Sequence, residues 1–110
     1  DNNSLFIEFL KVNSAVVVER ESTESALMEL EKNCFDIIIS DMYRPIDGER
    51  AGLDFFNRIN ELNYSPSAKK YIFCGKRNAK IYKGEANEIG VKITSNGNEL
   101  LKEISKNLNL

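Results

Sequence analysis

Asp41 ends the apolar run Phe35-Asp36-Ile37-Ile38-Ile39-Ser40. A carboxylate where a buried strand stops can be a nucleophile, a metal ligand or a helix cap. In α/β sheets, ligands and chemistry gather at the carboxyl ends of the strands. The plain reading of Asp41 is a loop cap, or a pair with Arg44. A mixed-charge loop follows, with Pro45, Asp47, Gly48, Glu49 and Arg50. It reads either as a solvated loop or as a partner-specific surface or lid over the acidic site. Cys74-Gly75-Lys76-Arg77 is a second place where reactive groups meet a strand end. Cys74 reads as a small buried hydrophobe, with a redox-sensing thiol as the alternative. Lys76 and Arg77 read as solvated loop charges.

The chain has no histidine. A Ser-His-Asp or Cys-His triad and a His-ligated metal site are therefore excluded. Catalysis must rest on carboxylates, Lys, Tyr, Cys or a hard metal ion, and any phosphohistidine must come from a partner. The net charge is −2, and Lys and Arg are spread along the chain, so neither nucleic acid nor an anionic membrane is indicated. No apolar run approaches the ~20 residues that span a bilayer, and no cleavable signal pattern is visible. Cys34 and Cys74 form no CxxC pair, so a cytoplasmic protein with reduced thiols is expected.

The elements that must position these residues are legible along the chain. Its 110 residues, 42% of them apolar, suit one domain over 1–110. Leu5, Phe6, Phe9 and Leu10 share a face of a helix over Ser4–Val12. Ala15–Val18 is a β-branched strand. Ser22-Thr23-Glu24 offers a cap and an acidic first turn for a helix that carries Ala26, Leu27 and Leu30 inward and ends near Asn33. Phe35–Ser40 is the kind of unbroken apolar strand that is covered on both faces. Asp41–Gly52 is a loop. A helix over Leu53–Leu62 turns Leu53, Phe56, Ile59 and Leu62 inward, and Ser65-Pro66-Ser67 breaks the chain. Tyr71–Cys74 is a strand. Asn78–Ile89 is a weaker helix using Ile81, Tyr82, Ala86 and Ile89, with Gly90 as its C-terminal stop. Val91–Thr94 is the last strand. Asn96 and Glu99 form a capping box for a final helix with Leu100, Leu101, Ile104 and Leu108 buried.

Strands alternating with helices indicate βαβ units, a parallel sheet and helices on both faces. The fold class is α/β, doubly wound. Such folds normally open on a strand, whereas this sequence opens on a helix, so a first strand is expected ahead of Asp1.

Cys34-Phe35-Asp36-Ile37-Ile38-Ile39-Ser40-Asp41-Met42-Tyr43-Arg44-Pro45-Ile46-Asp47-Gly48 resembles the receiver domains of two-component response regulators, which share the flavodoxin-like fold. Receivers carry an apolar third strand, a phospho-accepting aspartate, a Met-Pro-like turn and a glycine. Glu85-Ala86-Asn87-Glu88-Ile89-Gly90-Val91 also looks like the family's EA-x-x-x-GA segment. The resemblance covers the whole chain. It implies that Asp41 takes a phosphoryl group from a histidine kinase or phosphotransfer protein, as a self-phosphorylating acceptor at most rather than an enzyme. It implies Mg²⁺, held by Asp41, by the Tyr43 backbone carbonyl and by an acidic pair that would lie upstream of Asp1. Phosphoryl contacts would fall on Cys74, Gly75 and Lys76. Output, or homodimerisation, would use the family's fourth helix, fifth strand and last helix.

Three positions differ from the family pattern. The acidic pair is not in this sequence. Cys74 stands where receivers place a Thr or Ser hydroxyl. The Lys-Pro pair after the fifth strand is replaced by Ile93-Thr94-Ser95-Asn96-Gly97-Asn98. Lys92 lies within the strand, where alternation points it away, and Lys76 or Arg77 could substitute. Thr94 occupies the aromatic-switch position, with Tyr71 and Tyr82 as other candidates. These differences support a second reading, a degenerate pseudo-receiver that docks or dimerises without phosphorylation. A small-ligand flavodoxin-like domain is a remoter third, because no glycine-rich phosphate loop is present.

Overall fold

A computed structural model of the chain describes residues 15–18, 23–43 and 48–107. The helix expected over Ser4–Val12, the Ser22 cap, Arg44 to Asp47 and Leu108 lie outside the described residues.

Four strands form one parallel sheet: β1 (Ala15–Val18), β2 (Ile37–Ser40), β3 (Lys69–Phe73) and β4 (Val91–Thr94). They lie in the order β1-β2-β3-β4, with Val16 opposite Ile38, Ile39 opposite Tyr71, and Ile72 opposite Ile93. Helices α1 (Thr23–Lys32), α2 (Ala51–Leu62) and α3 (Lys76–Glu88) connect successive strands, and α4 (Gly97–Asn107) follows β4. The architecture is α/β with a parallel sheet and helices on both faces. The described strands show no reversal of order.

The monotonic order explains the layers. Each crossover steps one strand in the same direction, so crossovers of one hand stack their helices on one face. Residues of α1, α2 and α3 (Leu27, Leu30, Leu53, Phe55, Phe56, Ile59 and Ala86 among them) share a core with Ile38, Ile72, Val91 and Ile93. Alternation along the strands sends Ile37, Ile39 and Tyr71 to the opposite face, where Leu100 and Ile104 of α4 cover them. All of β2 is buried, as an unbroken apolar strand requires.

Several boundaries and facings differ from expectation. β2 starts at Ile37, because Phe35 turns its N–H to the Ser65 hydroxyl (3.0 Å) instead of to the ladder. β3 starts at Lys69, whose N–H reaches the Asp36 carbonyl at 2.9 Å. Helices α2 and α3 each begin two residues earlier than periodicity suggested. Leu62, Ile81 and Leu101 are exposed rather than inward. Phe55 is buried in place of Leu62, because Phe55 and Phe56 pack as a tilted pair with ring centroids 5.2 Å apart. Gly90 takes φ +76°, a left-handed stop that suits glycine. Asn96 accepts the Glu99 N–H at 3.1 Å, the first half of the capping box. The second half is absent: the Asn96 N–H donates to Thr94 Oγ1, and the Glu99 carboxylate faces Lys92. Among the described residues, no helix is long and apolar enough to cross a membrane.

Candidate functional site

Parallel strands bring their carboxyl ends to one edge, so Asp41, Cys74 and Ser95 lie along the same rim. Ser40 pairs with Ile72, and Asp41 is the next residue after β2. Cys74 follows β3 and extends the ladder by one bond, its N–H donating to the Thr94 carbonyl at 3.1 Å. Asp41 is half-buried between the sealed Met42 and Ser40. The Ser40 hydroxyl donates to the Asp41 carbonyl at 2.8 Å.

The backbone behind Asp41 is held by α2. Gly52 donates its N–H to the Met42 carbonyl at 2.9 Å. A Cβ on Gly52 would stand 2.4 Å from the Asp41 carbonyl oxygen and 3.1 Å from the Met42 Cα. Only a residue without a side chain lets the helix start this close to the strand end. The loop after Asp41 therefore leaves and returns to one fixed point. Sequence reasoning placed Gly52 at the end of a loop and missed this joint. The signal available was a pair of small residues, Ala51-Gly52, directly before an apolar helical run.

Arg50 precedes α2 as its N-cap residue and accepts the Asp54 N–H on its carbonyl at 2.9 Å. Its guanidinium crosses to α3, where Nη1 lies 3.0 Å from Glu85 Oε1 and Nη2 bonds Oε2. It also lies over the Tyr82 ring, 5.6 Å from the centroid. The hydrogen bond from Arg50 holds the Glu85 carboxyl below the usual range, and Glu85 raises Arg50 in return. Thirty-five residues separate the partners, so no local spacing could have paired them.

Each of the other expected residues has a definite place. Lys76 and Arg77 are exposed in the first turn of α3 rather than in a loop, because the helix starts at Lys76. Gly75 is extended just before it, at φ −68° and ψ 161°. Cys74 packs against the main core, and burial pushes its thiol up, so it remains protonated at neutral pH. Tyr43 is exposed. Tyr71 is buried on the α4 face. Thr94 is buried, with its hydroxyl on the Asn96 N–H.

Lys92 points to the α4 face, as alternation required. Its Nζ lies 2.8 Å from Glu103 Oε1 and 3.6 Å from Glu99 Oε1. The hydrogen bond to Glu103, then the charges of both carboxylates, hold the ammonium above its ordinary value. Lys92 is thus an anchor for α4 rather than a cation at the rim.

Among the described residues, no group of three His, Cys, Asp or Glu side chains could hold a metal ion. Mg²⁺ prefers near-octahedral oxygen coordination. Asp41 and one backbone carbonyl do not by themselves make such a site. Among the described residues, the rim offers the Asp41 carboxylate on a rigid backbone, a neutral thiol at Cys74 and a helix start. No family model, no curated protein and no solved structure matches this chain.

Proposed function

We propose that the chain is a receiver-type signalling domain whose Asp41 accepts a phosphoryl group from a histidine kinase or phosphotransfer protein. One observation carries the reading: Asp41 stands half-buried at the carboxyl end of a fully buried inner strand, its backbone clamped by Gly52. A carboxylate there is accessible to a donor and fixed in place, which is what nucleophilic attack needs. A carboxylate oxygen of Asp41 forms the new bond to phosphorus. The bond from phosphorus to the donor's imidazole nitrogen breaks, and that nitrogen keeps the electron pair. The transition state is loose and anionic, so positioning and nearby positive charge carry most of the catalysis. The α3 N-terminus beyond Cys74 and Gly75 supplies backbone N–H groups and a partial positive charge at the same rim. Lys76 and Arg77, exposed on that first turn, add full charges. Output would pass through α3, β4 and α4, the counterparts of the family's fourth helix, fifth strand and last helix. A cytoplasmic location belongs to this reading.

A second reading is favoured by Lys92. Its ammonium is committed to Glu99 and Glu103, and Cys74 offers a thiol, a weak donor. Both fit a pseudo-receiver that docks or dimerises without phosphorylation. The test is acetyl phosphate with Mg²⁺, read by intact mass. A gain of one phosphoryl group that Asp41→Asn abolishes supports the acceptor reading. No gain, under conditions that label a known receiver, leaves the docking module.

A further inference from the structure

β4 ends the described sheet, with β3 on one side of it. The Cys74 N–H donates to the Thr94 carbonyl, so Thr94 turns its backbone groups toward β3. The alternation of a parallel ladder turns Lys92 the same way and points the N–H and C=O groups of Val91 and Ile93 outward. Among the described residues, no strand pairs with that outer edge. An open groove of about 420 Å³ follows it, touching Val91 and Ile93, Lys83 and Asn87 of α3, and Glu99 of α4. Helices α3 and α4 pack on opposite faces of the sheet, so a space that touches both must run past the strand's free side. An edge of unpaired N–H and C=O groups is a template for another chain, and sequences often blunt it with proline or an inward charge. β4 has no proline. Its one charge, Lys92, is committed to Glu103 and Glu99 on the α4 face.

The two walls of the groove differ in charge. Lys76, Lys80, Lys83 and Asn87 recur at spacings of four and three, so they form one stripe of α3. All four are exposed. Among the described residues, none of the three lysines is in an ion pair, and Glu85 of the same helix is taken by Arg50. On the other wall, Lys92 is shared by two carboxylates, at 2.8 and 3.6 Å. The α3 wall therefore attracts anions and the α4 wall does not. An extended strand suits this asymmetry, because its side chains alternate between the two walls.

We propose that the outer edge of β4 is a docking site for an extended segment of a partner protein, which adds as a further strand and turns acidic side chains at every second position toward α3. The backbone groups of Val91 and Ile93 supply the ladder, and the lysine stripe selects the acidic face. The inference names the partner for the output face of the proposed function. It rests on that reading only for the use made of docking, since the groove is present without any phosphoryl group.

The unphosphorylated full chain is titrated with the peptide acetyl-Glu-Thr-Glu-Thr-Glu-amide and followed by amide NMR. Shifts are expected at Val91 and Ile93 and along the Lys76–Lys83 stripe, with slower hydrogen exchange at the Val91 and Ile93 amides. Replacing Lys80 and Lys83 together by Glu, at exposed positions that leave the core intact, should weaken binding about tenfold. A peptide with Lys in place of each Glu should bind worse. A backbone N-methylated peptide keeps the charges but loses the donors, and it should bind worse too. The proposal is overturned if the peptide shifts nothing at millimolar concentration, or shifts residues away from β4. It is equally overturned if the N-methylated peptide binds as well, because charge attraction alone would then explain the binding. Acetyl phosphate labelling, read by mass on a separate sample, decides the acceptor reading whatever the peptide does.

Discussion

Gly52 and Arg50 are two residues apart and sit in opposite environments. Gly52 touches the Asp41 carbonyl in a region where Met42, Leu53 and Phe56 are sealed from water. Arg50 holds Glu85 at a wet surface, as Lys92 holds Glu103 across the sheet. In the sealed region, packing leaves one arrangement, because close-packed side chains cannot shift by a methyl group without cost. At the wet surface, partners exchange at small cost, because solvent screens and replaces them. The base of the site is therefore fixed by packing, and its edge is held by exchangeable charges.

Substitutions can break that contrast, and the core should feel them most. Phe56→Ala removes a fully buried ring and should cost about 3–5 kcal/mol in urea unfolding. Gly52→Ala is the sharper case. Helix propensity alone would favour alanine by about 1 kcal/mol. The added Cβ meets backbone rather than a flexible side chain, so a net loss of about 1–3 kcal/mol is expected. A stabilised Gly52→Ala would show that the joint is not tight. Asn96→Ala removes the α4 cap on the Glu99 N–H and should cost about 0.5–1 kcal/mol, seen as a lower urea midpoint.

Arg50→Gln should have the smallest effect, under about 1 kcal/mol, and it should shrink further in high salt. Its pH dependence has a definite sign. Glu85 is held below its ordinary carboxyl value by Arg50. The contribution of the pair is therefore present above the ordinary value and is lost as pH falls through the lowered one. Wild type and Arg50→Gln should differ in stability near neutrality and converge in acid. A gap that persists in acid would mean that Arg50 acts through the Tyr82 ring instead of through Glu85.

Much of the fold was legible because it follows local rules. The unbroken Ile37-Ile38-Ile39 run announced a strand buried on both faces, and Gly90 announced a helix stop. Alternation correctly sent Lys92 away from the rim. Facing was less legible along the helices. Leu62, Ile81 and Leu101 fit an apolar stripe on paper, yet they are exposed. Phe55 was passed over because periodicity describes one stripe, whereas a helix wedged between neighbours buries a wider arc. Asp41 was found from its position at a strand end. Its joint to Gly52 was not, because it depends on a distance between two backbones.

The sequence by itself determined the α/β alternation, the parallel sheet, the absence of histidine chemistry and the one carboxylate at the end of the most apolar strand. These follow from residue type and period, which act over a few positions. The tertiary structure decided which charges stand together. Lys92 went to Glu103 and Arg50 went to Glu85 because strand register and helix stacking bring distant residues within reach. The same stacking brought α2 onto the Asp41 backbone carbonyl at Gly52.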